Sequence, residues 1–254
     1  MITDCNAHLG HWPFRDLQYS SADDFVNLMN SNGITQAVVA PYQGLLYGDV
    51  RPANEWLLEE VSSHGERFIP LAAINPAFPA WEGDLRRAID RGFSGVAIYP
   101  NYHSYTLEDQ CARDLFDALA DEGLFVRVHV RMQDERLHHP VCGVAPVDIS
   151  TLPQRAAEVP SVGVLIANAT NAEWPAISEA LRTTDNFFMD ISHVERVGGM
   201  SLLAEDVGVG SVAFGTHASL QYAQAAVLKI REAGLQEQHR QRILHENASA
   251  WMNG

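Results

Sequence analysis

Cysteine is scarce in this chain: three in 254 residues, Cys5, Cys111 and Cys142, widely spaced and odd in number. That argues against a disulfide framework and leaves no Cys-x-x-Cys clip for a structural metal, so the thiols read as reduced packing residues. Basic charge is scarce too. Seventeen Lys and Arg stand against 32 Asp and Glu, a formal net charge of −15. A field of that sign repels polyanions, so no nucleic-acid partner is expected. No stretch approaches the roughly 18 consecutive apolar residues of a membrane span. The opening Met1-Ile2-Thr3-Asp4 lacks the basic start and apolar run of a secretory signal. The expectation is a soluble, cytoplasmic chain with no membrane partner. The remainder is ordinary globular composition, 46% hydrophobic and 19% charged with 18 Gly and 12 Pro, which excludes disordered and collagen-like readings.

Short β-branched and apolar runs alternate with helical patterns eight times. The runs are Ile2–Cys5, Gln36–Ala40, Phe68–Ile74, Gly95–Tyr99, Phe125–Val130, Val162–Ile166, Phe187–Ile191 and Ser211–Phe214. The first helix has Ser20 and Ser21 as cap candidates, Phe25, Leu28 and Met29 at helical spacing, and a stop near Gly33,. Others run through Trp56–Val61, Leu85–Arg91 and Leu115–Leu119, and the chain closes with two helices over 219–233 and 236–252. Eight such units in 254 residues leave about 32 residues each, the size of one strand–helix unit of a parallel sheet. The simplest solution is α/β, a single distorted (β/α)8 TIM barrel over residues 1–254 as one domain, matching the usual barrel length of about 250 residues. An open doubly wound sheet would place Gly-x-Gly-x-x-Gly between the first strand and helix, and that fingerprint is absent. Arg131–Leu152 is the longest loop, and long ordered loops are usually functional.

Barrel chemistry sits at the C-terminal ends of the strands. The polar residues falling there are rich in His and Asn. Asp4, Asn6, His8 and His11 follow the first run; Tyr99, Asn101, Tyr102 and His103 the fourth; Arg127, His129 and Arg131 belong to the fifth. Asn168 follows the sixth, Asp190, Ser192 and His193 the seventh, and Thr216 and His217 the eighth.

Asp4-Cys5-Asn6-Ala7-His8-Leu9-Gly10 resembles the Asp-x-His-x-His-x-Gly opening of the amidohydrolase superfamily, in its amidohydrolase-related branch of metal-dependent hydrolases and decarboxylases. Gly95-Val96-Ala97-Ile98-Tyr99-Pro100 is similar to that branch's fourth-strand segment, Val128-His129 to its fifth-strand histidine, and Phe214-Gly215-Thr216-His217 to its Phe-Gly-Ser-Asp. The departures are specific: Asn6 stands at the first histidine of the pair, Asn168 at the sixth-strand histidine and His217 at the eighth-strand aspartate. The resemblance implies metal ligation for His8 and His129, and a homodimer as the assembly.

Two readings of the site follow. In one, His8, His129 and His217 hold one divalent metal such as zinc as three neutral imidazoles, leaving a fourth position for water. Asp190 or a loop carboxylate such as Glu135 would then act as base. In the other there is no cofactor. Asn6, Asn168, Tyr99 and Asn101 hydrogen-bond an oxygen-rich small-molecule substrate, His217 or His129 is the base, and Arg127 or Arg131 holds a substrate carboxylate. The expected activity is hydrolysis of a small ester, lactone or amide, with decarboxylation a near variant; a non-catalytic barrel binding a metabolite or partner is the reading from another class. Bland roles stand beside these. Asp4 reads as structural support, Arg127 equally as a salt bridge to a neighbouring strand's acid, and His11, His103, His138, His139 and His193 as satisfied core or rim residues.

Overall fold

In the computed structural model, which describes residues 1–253, all strand pairs are parallel. Three strands, β1 (Thr3–Leu9), β2 (Gln36–Pro41) and β3 (Phe68–Pro70), form one ladder. Six form the other: β4 (Ala72–Ala73), β5 (Gly95–Ile98), β6 (Phe125–His129), β7 (Val164–Ala167), β8 (Phe187–Asp190) and β9 (Val212–Ala213). The run Phe68–Ile74, expected as one strand, is split at Leu71. Pro70 has no N–H to give to a ladder, and at this point the chain changes neighbour from β2 to β5. Leu71 N still reaches Val39 O at 2.8 Å, while the Asn54 side chain brackets Ala73 by accepting from its N–H and donating to its carbonyl. The seam between β9 and β1 is crossed by Cys5 N to Phe214 O at 2.8 Å, His217 N to Asn6 O at 2.7 Å and His8 N to Ala218 O at 3.0 Å. The ring is the expected distorted (β/α)8 barrel.

Helices α1 (Ala22–Asn32), α2 (Arg51–Val61), α3 (Trp81–Asp90) and α4 (Gln110–Glu122) follow successive strands, then α5 (Leu152–Glu158), α6 (Ser178–Thr183), α7 (Gly199–Val207) and α8 (Ala223–Glu232). The chain ends with α9 (Glu237–Gln241) and α10 (Asn247–Asn253). Ser21 caps α1 by accepting from Asp24 N, and Gly33 closes it in the left-handed conformation its missing Cβ allows,. None of these helices is long and apolar enough to cross a membrane.

Alternation along each strand divides the core in two. Val126, Val128, Val164, Ile166, Phe187 and Met189 face outward to the helices, whereas Val38, Ala97, Phe125, Leu165 and Phe188 fill the barrel. Trp251 of α10 stops its lower end, donating Nε1–H to the carbonyls of Val126 and Gly163. Position 163 has to be glycine, because a Cβ there would collide with the Trp251 carbonyl. A register shift in β1 between Asp4 and Ala7 breaks the alternation, so Ala7 and Leu9 pack outward while Asn6 and His8 join polar partners inside the ring.

Candidate functional site

Asn6 and His8 arrive on β1, Arg127 and His129 on β6, Asp190 at the end of β8. Asn168 and His217 follow β7 and β9 with φ of 66° and 53°, a left-handed conformation uncommon for non-glycine residues and one that Asn and His tolerate best. Those turns aim both side chains inward. The His8 ring centroid lies 4.9 Å from that of His129 and 5.6 Å from that of His217, and all seven side chains are buried.

They bond chiefly to one another. Asn6 Nδ2 donates to Asn168 Oδ1 at 2.7 Å and to Asp190 Oδ2 at 2.5 Å. Asp190 Oδ1 accepts from the backbone N–H groups of Asn168 and Ser192 and from Ser192 Oγ. Asn168 Nδ2 donates to Arg131 O at 2.6 Å and lies 3.3 Å from the Nδ1 atoms of both His129 and His217. His217 Nε2 meets Met132 O at 2.7 Å, which makes Nε2 the protonated nitrogen and Nδ1 the acceptor for Asn168. Arg127 Nε donates to His129 Nε2 at 3.0 Å. A guanidinium only donates, so the His129 proton sits on Nδ1 and that nitrogen takes nothing from Asn168. Below this layer Asp4 accepts from the backbone of Asn6 and Thr216 and from Thr216 Oγ, the supporting role expected of it.

Burial sets the electrostatics. It holds the imidazoles of His8 and His129 well below their usual range, with Arg127 adding to the effect, and lowers His217 to about 4. Loss of solvation also raises Asp190, and Asp4 to about 6, against the hydrogen bonds that favour their charged forms,. At neutral pH the centre is therefore three uncharged rings over a guanidinium and two carboxyl groups.

The sequence expectations divide accordingly. His8, His129, His217, Asn6, Asn168 and Asp190 are brought together, but beneath a roof, not at an open mouth. Met132 is 1% exposed and its carbonyl sits on His217. Asp190, expected as base, has its oxygens engaged by Asn6, Ser192 and the Asn168 backbone and touches no imidazole by hydrogen bond. Tyr99, expected to bind substrate, is buried, stacked on His129 at 4.7 Å with its hydroxyl 3.2 Å from His8 Nε2. Asn101 instead ties the long loop down, donating to Ala145 O at 2.9 Å. Arg127, expected at a substrate carboxylate or in a salt bridge, has its hydrogen bonds directed to Cys5 O, Val38 O, Ala7 O and His129, and among the described residues it forms no close ion pair. Glu135 lies exposed on the loop.

Arg131 is different. It lines a cavity of about 410 Å³ with Arg15, Thr170, His193, Glu195, Gln221 and residues of the 132–137 segment that include Asp134 and Arg136. These residues come from the loops after β1, β6, β7, β8 and β9, so the cavity lies over the C-terminal face of the barrel. Arg131 pairs with Glu173, and its buried Nε has no partner. Gln221 Nε2 donates to His193 Nε2 at 2.9 Å, leaving the His193 proton on Nδ1. Burial brings His193 down to about 2, helped by His217 and Arg131. Sequence reasoning gave His193 a bland role and missed Arg15 and Gln221. The signal for Arg15 was a basic residue in the first strand–helix loop of a strongly acidic chain.

A parallel barrel whose strand ends carry a cluster of histidine and asparagine beneath a loop-built pocket defines the class. The amidohydrolase family model, Amidohydro_2, matches residues 3–252, and the chain belongs to that family. No curated protein sequence matches it. Among solved structures it is similar to 2,6-dihydroxybenzoate decarboxylase from Rhizobium, with 15% identity, TM-score 0.77 and 99% of this chain and 98% of that one covered. It is also similar to 4-oxalomesaconate hydratase from Rhodopseudomonas palustris (16%, 0.75, 99% and 95%). A third is dihydroxybenzoic acid decarboxylase from Polaromonas sp. JS666, solved with bound manganese and 2-nitroresorcinol (15%, 0.75, 99% and 96%).

A divalent ion in this family needs ligand atoms with free lone pairs. Here His129 Nε2 is taken by Arg127 and His217 Nε2 by the Met132 carbonyl. His8 Nδ1 has no hydrogen-bonding atom in reach, and His129 Nδ1 carries the ring proton and so offers no lone pair. Among the described residues no three His, Cys, Asp or Glu side chains are grouped to share one ion. The donor set does not fit a metal.

Proposed function

We propose that this amidohydrolase-family barrel binds a small carboxylate-bearing carbonyl compound in the pocket over its C-terminal face, and that it does so without metal-dependent turnover. The observation that carries this is the lining of that pocket. Arg15, Arg131, Arg136 and the Nδ1–H of His193 face two carboxylates, Asp134 and Glu195, and Asp134 is already paired with Arg136. A surplus of cationic donors around a cavity of about 410 Å³ suits a small anion with a carbonyl or hydroxyl oxygen beside it. Aromatic carboxylates fit that description, and the names of the decarboxylases it resembles point to the same chemistry. The imidazoles at and beneath the pocket are not poised as bases near neutral pH: His193 and His217 are held at about 2 and 4, and efficient proton acceptors sit nearer the working pH.

The hydrolytic reading keeps one observation in its favour. His8 Nδ1 and Asn6 Oδ1 are buried without protein partners, and a water or hydroxyl entering under a lifted Met132 segment could donate to Asn6 Oδ1 and bond His8 Nδ1, the place a hydrolytic water would need. Thermal-shift screening against hydroxybenzoates, keto acids, lactones and esters, followed by a turnover assay on each hit, separates the two. Binding without product, lost in Arg131→Met, is the expected result. Product formation that His217→Ala abolishes would replace it with a metal-independent hydrolase.

A further inference from the structure

The misfit between the family's metal chemistry and this chain has a cause inside the barrel, independent of what occupies the pocket above. Arg127 is fully buried two residues before His129 on β6. Its Nη1 donates to Cys5 O at 2.8 Å and Val38 O at 2.9 Å, its Nη2 to Ala7 O at 3.2 Å, and its Nε to His129 Nε2 at 3.0 Å. One side chain thus spans β6, β1 and β2. Two of its three carbonyl acceptors lie on or beside the irregular stretch of β1, where the ladder to β2 shifts register. Asp4 and Asp190 supply the opposite charge at longer range. A guanidinium stays protonated throughout the accessible pH range.

An ion bound to His129 Nε2 would stand about 2.0–2.1 Å from that nitrogen, on the lone pair Arg127 Nε–H now fills. Two cations cannot share that position, and repulsion between them is strongest where water is excluded. Asn168 adds a second barrier, since its amide nitrogen, a donor, lies against the imidazole Nδ1 atoms of His129 and His217. We propose that Arg127 is the resident cation of this barrel: it tethers β1, β2 and β6 by hydrogen bonds and excludes a divalent ion from the histidine cluster.

The test begins with the parent protein, expressed with manganese and zinc in the medium. Elemental analysis after gel filtration is expected to give below about 0.1 ion per chain. Melting is expected to move by less than about 1 °C with EDTA or excess Mn2+, because a ligand that does not bind the native state cannot stabilise it. Near one ion per chain, or a shift of several degrees, overturns the proposal. The second arm restores the missing histidines as Asn6→His with Asn168→His, with Arg127 kept and with Arg127→Met, and follows Mn2+ by electron paramagnetic resonance. Binding confined to the Arg127→Met form is expected. Mn2+ binding with Arg127 in place overturns the exclusion, an outcome readable even if the methionine form does not fold. Arg127→Met in the parent, melting as the parent does, would remove the tether.

Discussion

The histidine–asparagine centre and the pocket above it are both polar, both at strand ends, and separated by little more than Met132, yet they obey opposite rules. In the centre the side chains sit on strands or on turns tied to them and bond chiefly to one another, with Asn6 Oδ1 and His8 Nδ1 left over. In the pocket the groups sit on loops around a cavity. A polar network in a low-dielectric interior rigidifies a fold and is costly to break; polar groups lining a cavity are available to a ligand. With the proposed function, the contrast gives stability to the first region and recognition to the second, and it can be broken at either end.

The largest effect is expected at Asp190. Asp190→Ala leaves one hydrogen of the Asn6 amide and the backbone N–H groups of Asn168 and Ser192 short of their acceptor, while the Ser192 hydroxyl keeps Asn168 Oδ1. With each orphaned buried donor costing about 1–3 kcal/mol, a loss of at least about 3 kcal/mol is expected, read from the urea midpoint. A loss below about 1 kcal/mol would mean that the centre is not a structural network.

Acidification comes next. His8, His103, His129, His193 and His217 all have lowered pKa values, chiefly through burial. The unfolded chain protonates these rings at about 6.5 while the folded chain does not, so their contribution is fully present above that pH and is lost as pH falls toward their folded values. Asp4 and Asp190 act in the opposite sense. Their folded values are raised, so the folded state takes protons first, and stability is gained on acidification from about 6 downward for Asp4. The five imidazoles bound the proton uptake on unfolding at about five, a slope of at most about 7 kcal/mol per pH unit around pH 5.5, and the two carboxyls reduce it. Urea midpoints at pH 7.5, 6.5 and 5.5 check it. A flat profile would break the claim that these rings are buried neutral.

The sequence carried much of this architecture and less of the site. Strand–helix alternation placed all eight barrel segments, because apolar runs of β-branched residues between capped helices admit few other arrangements. It missed the break at Leu71, which depends on which neighbour each half pairs with. The site's membership was legible from strand ends, so His8, His129, His217, Asn6 and Asn168 were expected together. Its state was not. Whether Arg127 faces a substrate or the carbonyls of Cys5 and Val38 depends on the register shift in β1, and whether His217 is open depends on how a loop carbonyl at Met132 settles. Both are decided by contacts between residues far apart in sequence, which periodicity does not register.

The smallest effect on stability is expected at Arg131, and there the comparison is sharpest. Its partner Glu173 also accepts from the N–H and hydroxyl of Thr170, so removing the guanidinium leaves that carboxylate with other donors. Arg131→Met keeps most of the packing volume and should cost no more than about 1 kcal/mol, in line with partly exposed ion pairs. Carboxylate-induced stabilisation should nevertheless fall by at least about tenfold in apparent affinity, since a charge-assisted bond to an anion contributes about 1.5–3 kcal/mol. The two numbers are read from one set of melts with and without ligand. Large destabilisation with unchanged binding would invert the assignment, making Arg131 part of the buried centre and leaving Arg15 and His193 as the recognition groups.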